Sequence, residues 1–104
     1  MYGLKEKDII TIQTVLKKFP QITEVLIYGS RAKGNYKNGS DIDLTFKGKN
    51  LTLKDLNNVS LLLDELYLPY SFDLSIFDQI ENPALIDHIN RVGIVFYKSS
   101  YQDK

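Results

Sequence analysis

The chain contains no cysteine and a single histidine, His88. Without cysteine there is no disulfide and no thiolate metal site. One histidine makes an imidazole-based zinc site unexpected. An excess of cationic residues is also missing, because 13 Lys and Arg balance 13 Asp and Glu. A protein dedicated to coating nucleic acid needs that excess to neutralise phosphates, so only a small local basic patch is allowed for. No apolar run approaches the roughly 18 residues of a membrane span. Lys5, Glu6, Lys7 and Asp8 interrupt the N-terminus, so no signal-peptide pattern is present and a cytoplasmic location is the default expectation. Repeats, low-complexity tracts and dividing linkers are absent too, so the 104 residues are expected to form one domain, 1–104, around one modest core.

What is present is concentrated near residue 30. The run Leu26-Ile27-Tyr28 ends in Gly29-Ser30, and Arg31-Ala32-Lys33-Gly34 follows. After ten intervening residues come Asp41-Ile42-Asp43. The first half suits a phosphate and the second suits a divalent cation. Around this core, apolar spacing at Ile9, Ile12, Leu16 and Phe19 predicts a helix over 5–19, stopped by Pro20. The β-branched run 24–28 predicts a buried strand, and 30–36 a short helix or turn. Asn38-Gly39 is a turn signal. Strict alternation predicts strands over 41–46 and 71–77. Between them Leu53, Leu56, Val59, Leu63 and Leu66 mark a helix begun by Thr52 as N-cap, with Asp55 as a capping-box partner. Asn82-Pro83 opens a short helix to about residue 90, and 94–97 reads as a fourth strand. The polar tail from Ser99 is expected to fray. Strands alternating with helices predict an α/β (α+β) fold, a mixed twisted sheet of about four strands flanked by helices.

Strand alternation places Asp41 and Asp43 on one face, about 6.6 Å apart along the chain, where they can share a cation. In the third predicted strand Asp73 sits on the polar side with Ser71 and Ser75, and it joins the pair if the two strands are neighbours. Asp78 is a nearby rival for that place. Two carboxylates 4 Å apart repel by about 1 kcal/mol in water and about 4 kcal/mol at an effective dielectric of 20. All-oxygen ligands suit Mg²⁺ or Mn²⁺, which would reverse that repulsion. Gly29 lets backbone approach a phosphate, Ser30 offers a hydroxyl and an N–H, and Arg31 and Lys33 are cations for departing pyrophosphate. Gly29 to Gly34 matches half of a P-loop, but Asn35-Tyr36 stands where Lys and Ser or Thr are required, so that reading is rejected.

These residues resemble the DNA polymerase β-like nucleotidyltransferase superfamily. The wording from Tyr28 to Gly34 and from Gly39 to Leu44 is similar to its smallest branch, the minimal nucleotidyltransferases (MNT), and the stretch His88 to Tyr97 resembles their C-terminal end. The resemblance implies Mg²⁺-dependent transfer of NMP from an NTP, with ATP the expected donor, to a hydroxyl. It implies that Gly29 and Ser30 hold the nucleotide, with Arg31 beside them. Asp41 and Asp43 would bind metal, and Asp73, the third carboxylate, would help deprotonate the acceptor. It also implies a separately encoded HEPN-domain partner, whose tyrosine is the acceptor in toxin–antitoxin members of the branch.

Plainer readings compete. Asp41 and Asp43 alone could be solvated carboxylates at a strand start, and Asp73 an ordinary exposed strand residue. Arg31 and Lys33 could be surface charges. His88 is expected at a helix surface or rim, and Tyr36 has many uses besides stacking on a base. Tyr2, Tyr97 and Tyr101 could lie in a homo- or hetero-oligomeric interface. Three functions follow: AMP transfer to a protein hydroxyl, neutralisation of a HEPN partner by stoichiometric contact without catalysis, or transfer to a small molecule such as an aminoglycoside. The last is the weakest, because the chain has no second domain to build an acceptor pocket.

Overall fold

A computed structural model of the chain describes residues 1–36 and 41–99. The Asn38-Gly39 turn signal and Tyr101 lie outside the described residues. In order, the elements are α1 (Glu6–Leu16), β1 (Ile22–Tyr28), α2 (Ser30–Lys33), β2 (Ile42–Gly48), α3 (Leu53–Asp64), β3 (Phe72–Ile76), α4 (Pro83–Val92) and β4 (Ile94–Lys98). A single 3₁₀ turn, Phe77–Gln79, follows β3. The four strands form one mixed sheet in the order β3-β2-β1-β4. β1 runs antiparallel to both β2 and β4, while β2 and β3 are parallel. Parallel neighbours need a crossover, and α3 supplies it.

The alternation of apolar residues explains the two layers. Val25 and Ile27 of β1 lie with Leu44 and Phe46 of β2 on the face covered by α1 and α3, and together they build the main core. Ile12 and Leu16 from α1 and Val59 from α3 are fully buried there. Each such side chain contributes about 1.5–3 kcal/mol relative to staying exposed. Leu26 and Tyr28 point to the opposite face, where α4 packs through Ile89, Leu85 and Val92, with Phe77 and Ile80 beside it. That second face also carries the odd-numbered residues of β2 and β3, the aspartates among them.

Helix ends follow local chemistry. Thr52 and Asp55 form the expected reciprocal capping box: Asp55 N–H donates to Thr52 Oγ1 (3.3 Å) and Thr52 N–H to Asp55 Oδ2 (2.9 Å). Asn82 Oδ1 accepts from the N–H groups of Ala84 (2.9 Å) and Leu85 (3.4 Å), with Pro83 at the first helical position. α1 ends at Leu16, before the expected Phe19, because residues 17–19 tighten into i→i+3 turns ahead of Pro20. Ser99 corrects the expectation of a tail frayed from that residue. It is 6% exposed, and its N–H donates to Thr23 O at 2.9 Å, extending the edge of the sheet by one bond.

Candidate active site

The site forms where β1 ends. Gly29 has φ 76° and ψ −154°, a conformation open almost only to glycine. It turns the chain from the strand directly into α2, so that Ser30 begins that helix. Gly34, at φ 85° and ψ 2°, closes it in the left-handed conformation. A Cβ on Gly29 would collide with Asp43 Oδ2, so the carboxylate of Asp43 rests directly against the Gly29 backbone.

Strand pairing brings the carboxylates together. Asp43 is the register partner of Tyr28 on one side and of Asp73 on the other. Neighbouring strands lie about 4.8 Å apart, so Asp43 and Asp73 stand side by side on one face. Asp41 immediately precedes β2 and shares their side by alternation. Asp78 lies off the strand, in the 3₁₀ turn beyond the last paired residue, Ile76. Asp43 is half-buried, and Asp41 and Asp73 are exposed. Burial first, then the charges of Asp73 and Asp41, push the Asp43 carboxyl above its ordinary value, and His88 and Arg31 oppose the shift.

His88 is half-buried at the rim of its helix, where its ring meets Tyr28 edge-on, with centroids 6.2 Å apart and planes at 77°, and its charge acts on Asp43. The signal that places it was present in the sequence: Leu85, His88, Ile89 and Val92 form one i, i+3, i+4, i+7 stripe. Tyr28 is buried, and that burial is the main reason its hydroxyl is held above the ordinary tyrosine range. The hydroxyl is directed at Ser75, two residues beyond Asp73, without closing a hydrogen bond of full geometry. Ser75 Oγ and Thr45 Oγ1, in the next register row, are buried and have no hydrogen-bond partner among the described residues. An unpaired buried hydroxyl costs about 1–3 kcal/mol. Thr45→Val, at a fully buried position, is therefore expected to raise stability by about 1 kcal/mol in a urea titration. A loss of stability would mean that a partner such as water satisfies the hydroxyl.

Arg31 does not face outward beside Ser30. It is 5% exposed, and its Nη1 donates to Tyr2 O at 2.9 Å. Its guanidinium lies over the rings of Tyr36 (5.3 Å) and Tyr70 (5.7 Å). Lys33 is exposed at the end of α2. Among the described residues no three acidic, cysteine or histidine side chains are arranged to enclose a metal ion on their own.

A protein-family model matches most of the chain. The model described as Polymerase beta, Nucleotidyltransferase covers residues 11–102. The chain belongs to the polymerase beta nucleotidyltransferase family. No curated protein sequence matches it. Solved structures share its nucleotidyltransferase fold. One is a toxin–antitoxin with AMP-PNP, at TM-score 0.70 and 18% identity, covering 93% of this chain and 76% of that one. A second is the tri-AMPylated Shewanella oneidensis HEPN toxin in complex with MNT antitoxin, at TM-score 0.62 and 17% identity, covering 95% and 74%. A third is described as a minimal nucleotidyltransferase, at TM-score 0.67 and 26% identity, covering 86% and 92%. The nucleotidyltransferase fold thus rests here on four strands and four helices among the described residues. None of those helices is long and apolar enough to cross a membrane.

Proposed function

We propose that the chain is a Mg²⁺-dependent nucleotidyltransferase that moves AMP from ATP to a hydroxyl of a partner protein, and that the partner is a HEPN-domain protein. The observation that carries this reading is the pairing of Asp43 with Asp73 against the Gly29–Ser30 turn. Mutually repelling carboxylates are unfavourable unless a cation or a proton is drawn to them. The donor set fits Mg²⁺, and Mn²⁺ would suit the same oxygens. Mg²⁺ rarely uses an all-protein cage; it takes one or two carboxylates and completes its shell with water and substrate phosphates. Asp41 and Asp43 would hold it, and it would neutralise charge on the triphosphate and the departing pyrophosphate.

The chain's own residues do the rest. Ser30 offers its hydroxyl and N–H to the phosphates, and Gly29 leaves room for their approach. The acceptor oxygen attacks the α-phosphorus, the bond from that phosphorus to the bridging oxygen breaks, and pyrophosphate leaves. Asp73, exposed on its strand, accepts the acceptor's proton. A partner protein as acceptor is favoured by the small size of the domain and by the HEPN complexes among proteins of this fold.

The test mixes the chain with Mg²⁺, each NTP in turn and the HEPN protein encoded beside it, and reads intact masses. A partner heavier by one AMP is expected with ATP. If none of the four NTPs yields an adduct, transfer is the wrong reading. Protection of cells by the chain without an adduct would establish neutralisation by contact alone.

A further inference from the structure

We infer that Arg31 is a positioning residue: its guanidinium ties together the three chain segments that carry Ser30, Asp41 with Asp43, and Asp73. The segments converge on one buried group. Arg31 itself follows Ser30 in α2. Tyr36, whose ring centroid lies 5.3 Å from the guanidinium carbon, stands five residues before Asp41. Tyr70, which also packs on the guanidinium, stands three residues before Asp73. The N-terminal residues complete the arrangement. Tyr2 and Gly3 both have positive φ (59° and 72°), which turns Tyr2 O toward Arg31 Nη1. A Cβ on Gly3 would collide with the Tyr36 ring and lie 2.8 Å from Arg31 Nη1, so the N-terminal turn is packed directly against both.

Tyr70 is fixed in its turn. Its hydroxyl donates to buried Asp8 Oδ2 at 2.9 Å and accepts from Lys5 N–H at 3.5 Å. The hub therefore connects α1, α2 and the lead-in to β3. A lysine cannot replace arginine in such a place. The planar guanidinium presents flat faces to aromatic rings while its edge donates in a fixed direction, whereas an ammonium is a compact, strongly hydrated point charge. The charge of Arg31 also reaches Asp43, but its hydrogen bond and ring contacts define its geometry.

The kinetic test rests on the transferase reading; a second arm does not. Arg31→Lys and Tyr36→Leu are made singly and together. Tyr36 is 38% exposed, so its replacement opens no core. A site misplaced by about 1 Å loses roughly a hundredfold in rate. Each single variant is expected to lower kcat at saturating Mg-ATP by about 10- to 100-fold, with KM for ATP changed by less than about threefold. The double variant should fall no more than about threefold below Arg31→Lys, because both changes break one unit. Retention of kcat by Arg31→Lys with a raised KM in Arg31→Ala would overturn the inference and assign Arg31 to the triphosphate. Multiplying effects in the double variant would overturn it too. The second arm follows amide hydrogen exchange in Arg31→Lys without substrate. Protection should fall by about tenfold both at residues 30–33 and at 72–74. A change confined to 30–33 overturns positioning. If the parent transfers nothing, the transferase reading fails and the exchange arm alone decides this one.

Discussion

Asp43→Asn is expected to abolish nucleotide transfer while raising the melting temperature of the protein. The two effects have one cause. Asp43 is half-buried between Tyr28 and Asp73, with Asp41 nearby, and its carboxyl is raised from the ordinary 3.8 by burial and then by those two charges. The folded chain therefore holds this proton more tightly than the unfolded chain does. Stability falls as pH climbs through the window from the ordinary value to the raised one, and above that window the penalty is complete. At neutral pH Asp43 thus destabilises the fold. Solvent screening limits the effect, so the gain in the asparagine variant is about 0.5 kcal/mol, or roughly 2–4 °C in Tm. The gain should vanish at a pH below the window, where both proteins carry a neutral side chain. On the proposed reading the substitution also removes a carboxylate that would hold the metal, and a loss of about a thousandfold in single-turnover rate corresponds to about 4 kcal/mol of transition-state stabilisation. Calorimetry at two pH values and a labelling time course check both halves. A variant that is less stable, or that still labels its partner at near the parental rate, contradicts the account.

Gly29→Ala is expected to damage stability and activity together. Alanine at φ 76° and ψ −154° is strained by about 1–3 kcal/mol whatever surrounds it. Here its Cβ would also collide with Asp43 Oδ2, which cannot move without leaving its place beside Asp73. The two penalties together predict a loss of about 2–4 kcal/mol in urea unfolding and a fall in kcat of at least about a hundredfold. Asp43→Ala in the same chain should recover part of the stability, because it removes the collision and leaves the strain. Recovery of the whole would show that the backbone conformation costs nothing.

Much of this arrangement was legible in the residues because alternation is a rigid rule. It put Asp41 with Asp43, and Asp73 with Ser75, on the polar sides of their strands. It did not decide that those strands are neighbours, since pairing depends on where the α3 crossover returns the chain. Nor did it show that a 3₁₀ turn at Phe77–Gln79 takes Asp78 off the strand that carries Asp73. The strand ends shifted by only a residue or two, as at 22–28 against an expected 24–28. Arg31 was the residue least readable in one dimension. A basic side chain after Gly-Ser suggests a phosphate contact, and nothing nearby in sequence reveals that Tyr2 and Tyr70 will meet it in space. His88 was readable as a rim residue, and its place in the stripe Leu85, His88, Ile89 and Val92 accounts for its contact with Tyr28.

The sheet order has a consequence for how the protein fails under stress. β3 is an edge strand with one hydrogen-bonded neighbour, whereas β1 and β2 each have two. An edge strand can separate from its sheet at less cost than the whole domain can unfold. Asp73 lies on that strand, and Asp43 lies on the one strand paired with it among the described residues. In mild denaturant the carboxylate pair should therefore come apart before the core of α1, β1 and β2 melts. An intact carboxylate pair and an intact core are then separate thresholds, and the first could be lost while the chain still resists proteolysis.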